Sequence, residues 1–170
     1  MSANPKVIVQ TDKGAITIEL FPEAAPETVA NFLAAVDAGF YGDTIFHRVI
    51  KGFMIQGGGL DADMGDKEWK GAPVKNEAAT GLSNERGTIA MARTMDPHSA
   101  TAQFYINTVD NPELDHTSPS PSGYGYCVFG KVSEGMDVVD KIEKTKVKEQ
   151  GMHESVPVDS VVITGASRFE

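Results

Sequence analysis

Short β-rich runs follow one another along this chain with few helical stretches between them, and that ordering limits the fold more than any other feature. Lys6–Thr11 and Ala15–Leu20 are two such runs, separated by Asp12-Lys13-Gly14. The second sets Ile16, Ile18 and Leu20 on one face against Thr17 and Glu19 on the other, the period of a half-buried strand. Glycine at the turn completes a hairpin signal. Further strands are predicted over Thr44–Ile50, Phe53–Gln56, Thr88–Ala92, Gln103–Thr108, Cys127–Val132 and Val158–Thr164, with Ser167–Phe169 as a possible continuation. Lys51-Gly52 interrupts the first two, and Gly57-Gly58-Gly59 permits a sharp bend or close backbone approach. Only two helices are legible. Pro26 occupies a first helical position, Val29, Phe32, Leu33 and Val36 follow at helical spacing and Gly39 closes the segment, which predicts a helix over about Pro26–Ala38. Met136, Val139 and Ile142 predict a shorter one ending near Lys144. About eight strands and two helices without βα alternation argue against a parallel sheet. They predict a mainly β fold, an antiparallel sheet closed on itself with helices over its ends.

At 170 residues and 41% hydrophobic, the chain has the size and apolar content of one ordinary domain, residues 1–170. The net charge of −9 is spread evenly, which speaks against the basic face of a nucleic-acid binder. No run approaches the ~18–20 apolar residues of a membrane span, and Met1–Lys6 shows no leader pattern. Cys127 is the one cysteine, so no intramolecular disulfide is required. A soluble cytoplasmic protein is expected. Two long loops, Leu60–Arg86 and Asp110–Tyr126, are expected to carry function.

The usual catalytic signatures are missing. Gly81-Leu82-Ser83-Asn84-Glu85 fails the last position of a nucleophile elbow, and no phosphate-binding glycine loop is present. His47, His98, His116 and His153 lack metal-ligand spacing, and Asp61-Ala62-Asp63-Met64-Gly65-Asp66 departs from a calcium loop. A metal-dependent hydrolase therefore has no ligand set.

What remains is polar residues set among apolar ones. Phe46-His47-Arg48-Val49-Ile50 puts a cation mid-strand, which is costly unless paired or facing a wet cleft. Alternation groups Phe46, Arg48 and Ile50 on one face and His47 with Val49 on the other. Two readings stand: an arginine capping a barrel end against Asp or Glu, or a functional cation in a groove. Gln56 poses the same question. Gln103, Tyr105 and Asn107 share a face opposite Phe104 and Ile106, as a hydrogen-bonded interior or as a groove wall.

Phe46-His47-Arg48-Val49-Ile50-Lys51-Gly52-Phe53-Met54-Ile55-Gln56-Gly57-Gly58 resembles the signature segment of cyclophilin-type peptidyl-prolyl cis-trans isomerases. Gly87–Arg93, Ser99–Ile106 and Val128–Val132 resemble further family blocks in the same order, and Ala25–Phe32 its first helix. The likeness covers nearly the whole chain, and within the family it is similar to the bacterial cytosolic B-type enzymes. It implies a closed eight-stranded antiparallel barrel capped by two α-helices, with the active groove on the outer surface. Arg48 would be the catalytic arginine. Phe53, Met54, Tyr105 and Leu114 would form the proline pocket, with Tyr126 beside it, and Gln56, Gln103, Ala92 and Arg93 would hold the peptide backbone. Placing both Phe53 and Met54 on one face requires a bend near Gly52. Tyr105 stands where Phe is usual, Tyr126 where many members have His, and Arg93 where Asn is common. Glu113 stands where an aromatic residue is often found, so weak cyclosporin binding is expected.

The implied activity is isomerisation of X-Pro bonds in peptides and in unfolded or folding proteins, by a monomer, without cofactor or metal. The alternative is a non-catalytic proline-peptide binding module or chaperone using the same groove, which has no need of Arg48.

Overall fold

The computed structural model describes residues 4–80, 82–151 and 153–169. Strands β1 (Lys6–Thr11) and β2 (Gly14–Leu20) form the predicted hairpin, in register from Lys6↔Glu19 to Thr11↔Gly14. Ile16, Ile18 and Leu20 are fully buried on its inner face. Helix α1 (Pro26–Asp37) buries Val29, Phe32 and Val36, the face its spacing predicts. Ala25 cannot cap it. The Glu77 carboxylate, from the first long loop, instead accepts the N–H groups of Thr28 at 2.8 Å and Glu27 at 3.3 Å. That contact satisfies donors orphaned at the helix start, sets negative charge against the dipole and ties the loop to the barrel.

The chain continues through β3 (Thr44–Ile45), β4 (Arg48–Ile50), β5 (Met54–Gly57), β6 (Thr88–Met91), β7 (Phe104–Asn107) and β8 (Val128–Glu134). Helix α2 (Met136–Glu143), hairpin strands β9 (Val147–Gln150) and β10 (His153–Pro157), and β11 (Val162–Phe169) complete it. The main antiparallel sheet runs β3-β11-β1-β2-β8-β6-β7-β5-β4. Its edge strands are successive in the chain. Across the seam the Ile45 N–H donates to the Leu60 carbonyl at 2.9 Å, and the Gly58 N–H donates to the Ile45 carbonyl. The sheet thus curls until its ends meet. Gly57 permits that approach, because a Cβ there would lie 2.6 Å from the Ile45 carbonyl oxygen. No helix among the described residues is long and apolar enough to cross a membrane.

Nine strands form this sheet rather than eight because the strand predicted over Thr44–Ile50 breaks at Phe46-His47. The break corrects a face assignment as well. Phe46 turns into the barrel interior with Val49, while Arg48 is exposed on the outside. The final strand begins at Val162, not Val158; the Val158 N–H closes the β9–β10 hairpin on the Lys146 carbonyl. That hairpin has no counterpart in the sequence prediction. All four residues of β9 are exposed, so no apolar alternation announces it.

The barrel interior is filled by side chains such as Phe32, Phe104 and Phe129, whose rings pack against one another. A second, smaller apolar cluster lies on the outer face: Met54, Ala90, Tyr105 and Val128, flanked by Phe53, Leu114 and Tyr126.

Candidate active site

Strand register builds the site. Arg48 pairs with Gln56, Gln56 with Tyr105, Tyr105 with Ala90 and Ala90 with Val128. Directly opposed residues share a face, so one row of side chains crosses the outside of β4, β5, β7, β6 and β8. Ile55, Phe104, Ile106 and Ile89 alternate with that row and point into the core. At Gly52 the backbone adopts φ +76°, which turns the chain between β4 and β5 and brings Phe53 alongside Met54. Glu143 of α2 holds this turn by accepting the Gly52 N–H at 2.9 Å. The Phe53 carbonyl accepts Asn111 Nδ2 at 2.9 Å and the Thr108 N–H at 3.1 Å.

Arg48, Phe53, Met54, Gln56, Ala92, Arg93, Tyr105, Leu114 and Tyr126 together line a pocket of about 150 Å³. Gln103 lies just outside it. Its side-chain oxygen accepts Gln56 Nε2 at 3.2 Å, and with Thr94, Ser99 and Thr101 it lines an adjoining depression of about 150 Å³. Glu113 is exposed on the short 3-10 turn Pro112–Leu114 and is not part of the pocket wall.

Among the described residues no carboxylate pairs with Arg48. Its side chain makes one hydrogen bond, from Nη1 to Gln56 Oε1 at 3.3 Å. The reading of Arg48 as a cap on the barrel end is therefore not met, and its remaining donors face the pocket mouth and solvent. Arg93 is different. It donates from Nε to the Gly125 carbonyl, from Nη1 to Thr94 and from Nη2 to Pro121, and lies 4.6 Å over the Tyr126 ring. Its donors are thus taken up by the Gly125, Thr94 and Pro121 carbonyls and its guanidinium lies against Tyr126, so this cation at the groove is held in place by the protein itself.

Tyr105 is buried, and burial pushes its hydroxyl well above the ordinary phenol range. That hydroxyl donates to Asn84 Oδ1 at 2.7 Å. Asn84 in turn contacts Asp115, whose carboxylate also accepts the Ser83 hydroxyl. The sequence reading missed Asn84 and Asp115. A tyrosine where phenylalanine is usual was the available signal, since a buried hydroxyl requires a partner. Behind the site, burial holds His47 down at about 4, with His153 and Arg48 adding repulsion. The Cys127 thiol is pushed up to about 11 by burial, so no activated nucleophile is present there.

The family model for cyclophilin type peptidyl-prolyl cis-trans isomerases matches residues 6–168. Peptidyl-prolyl cis-trans isomerase B of Escherichia coli is 56% identical over 164 residues, 96% of this chain and 99% of the relative. Peptidyl-prolyl cis-trans isomerase cyp18 of Streptomyces antibioticus is 56% identical over 160 residues, 94% and 96% of the two chains. A crystal structure of a Cryptosporidium parvum cyclophilin type isomerase, determined in the presence of the dipeptide Ala-Pro, superposes with TM-score 0.79 at 28% identity, over 97% of this chain and 99% of that one. With a curled antiparallel sheet, two helices and these matches along nearly its whole length, the chain belongs to the cyclophilin family and is a peptidyl-prolyl cis-trans isomerase of the bacterial B type.

Proposed function

We propose that Arg48 is the catalytic residue and that the outer pocket holds the proline ring. The observation that carries this reading is an arginine with no carboxylate partner among the described residues, lining a small pocket that also presents Phe53, Met54, Leu114 and Tyr105. Rotation about a peptide bond makes and breaks no covalent bond; the barrier of ~18–20 kcal/mol is lost resonance. Uncatalysed X-Pro exchange takes tens to hundreds of seconds. Raising it to ~100–1000 per second requires about 5.5–7 kcal/mol of transition-state stabilisation. At the twisted transition state the prolyl nitrogen becomes pyramidal and gains a lone pair. A guanidinium N–H directed at that lone pair acts there and does little for the planar ground state. Arginine stays charged and presents its donors in a fixed fork, whereas lysine offers a less directed charge.

Phe53, Met54, Leu114 and Tyr105 grip the ring, with Tyr126 beside them, while the acyl side turns. Gln56, Gln103 and the backbone at Ala92 and Arg93 hold the flanking peptide. The Ala-Pro dipeptide present with the Cryptosporidium relative supports a proline ligand for this groove. The substrates are X-Pro bonds in peptides and in unfolded or folding proteins. The protein acts as a single domain and a monomer in the cytoplasm, and binds cyclosporin weakly because Glu113 stands where an aromatic wall is common. Two-dimensional exchange spectroscopy on a proline peptide separates enzyme from binding module. Wild type should show cis–trans exchange peaks, and Arg48→Ala should lose them while peptide-induced shifts persist. Binding without exchange in wild type would establish the non-catalytic alternative.

A further inference from the structure

Three of the pocket's wall residues come from different parts of the chain: Tyr105 on β7, Leu114 on the 3-10 turn and Tyr126 at the end of the second long loop. One side chain bonds to all three parts. Asn84, 1% exposed, accepts the Tyr105 hydroxyl on Oδ1 at 2.7 Å and Asn107 Nδ2 on the same oxygen at 3.1 Å. Its Nδ2 donates to Asp115 Oδ1 at 3.0 Å, next to Leu114, and reaches the Tyr126 carbonyl at 3.5 Å. Its backbone N–H donates to Asp115 Oδ1 at 2.6 Å, and its carbonyl accepts the Asn111 N–H at 2.7 Å. Both amide ends are thus used, and only one orientation puts the oxygen toward a hydroxyl and the nitrogen toward a carboxylate. Fully satisfied buried networks of this kind fix a unique geometry.

We propose that Asn84, acting with Asp115, is a positioning residue that sets the spacing of the proline-pocket walls. This rests on the reading of that pocket as the proline site. Asn84 touches no reacting atom, so its effect falls on substrate grip and not on the turnover that Arg48 supplies.

The test is Asn84→Asp, which keeps the shape but sets a second carboxyl against Asp115. Burial and that like charge favour the protonated form, which can still donate; the ionised form cannot. In the exchange assay, KM of Asn84→Asp at pH 5.5 should lie within about threefold of wild type and rise more than about tenfold by pH 8. Its kcat should stay within about threefold throughout, and wild-type KM should vary little over this interval. A pH-independent KM, or a wild-type KM at pH 8, overturns the proposal. Asp115→Ala covers the case in which Asn84→Asp does not fold at high pH. It should raise KM about tenfold with kcat retained, and an unchanged KM there likewise overturns the role. Phe53→Ala, measured alongside, separates the two levels. If its KM is unchanged the pocket reading itself fails; if its KM rises while the Asn84 and Asp115 variants match wild type, only the positioning role fails.

Discussion

Replacing Arg48 removes the proposed chemistry with little disturbance to the fold. The side chain is exposed and makes one 3.3 Å hydrogen bond, to Gln56. A surface change of this kind shifts stability by no more than about 0.5 kcal/mol, which moves the thermal midpoint by less than about 2 °C in a chain of this size. The catalytic loss is far larger. Deleting one preorganised donor aimed at developing charge costs about 2.7–4 kcal/mol, or 10²–10³ in kcat. Against the ~5.5–7 kcal/mol that the whole acceleration requires, Arg48→Ala retains a residual rate above solution, supplied by ring binding and shape. KM changes by less than about threefold, because the planar amide gives the guanidinium little to bind. Arg48→Lys keeps the charge without the fork and recovers about tenfold of the loss. Exchange spectroscopy titrated with a proline peptide yields kcat and KM without a coupling protease. A kcat for Arg48→Ala within threefold of wild type would refute the mechanism, as would a rise in KM with kcat intact.

Three further outcomes follow from the geometry. Glu77→Ala leaves the start of α1 without its carboxylate acceptor, so the fold loses about 1–2 kcal/mol and the midpoint falls ~2–8 °C; calorimetry checks this, and kcat/KM well below the midpoint should be unchanged. His47 is buried neutral with its folded value near 4, so below the unfolded value of ~6.5 the unfolded chain binds the extra proton. Stability therefore falls by about 1.4 kcal/mol per pH unit from about 6 to 4; urea midpoints across that range should show the slope, and His47→Gln should flatten it. Cys127, buried and pushed up to about 11, should resist a disulfide reagent in the native protein and react fully in denaturant; rapid native labelling would contradict its placement.

The strands that were legible in the sequence are those that line the core on one face. β2 alternates because Ile16, Ile18 and Leu20 pack in the core while Thr17 and Glu19 do not; β7 is buried on both faces, but Phe104 and Ile106 belong to the interior and Tyr105 to the outer cluster. Where that asymmetry disappears, so does the signal. β9 is exposed on both faces, and the β3–β4 break falls on two buried residues, Phe46 and His47, whose order alone does not reveal a bend. The closure of the sheet was inferred from the absence of βα alternation, but its seam depends on Ile45 meeting Gly58 and Leu60.

The site divides in a similar way. Arg48, Gln56 and Tyr105 are visible because polar groups in apolar strands demand an explanation, and cross-strand register then sets them in one row. Resemblance was required for Phe53 and Leu114, since a bend at Gly52 and a short turn at Pro112–Leu114 bring them to the pocket and neither follows from periodicity. Asn84 and Asp115 were invisible for another reason: each is an ordinary polar residue in a long loop, and its importance arises only from what lies opposite. Arg93 makes the same point in reverse. By resemblance it is a cation at the groove, yet three carbonyls and the Tyr126 ring occupy its donors, whereas Arg48 is held by Gln56 alone among the described residues and keeps the free donors that the proposed mechanism requires.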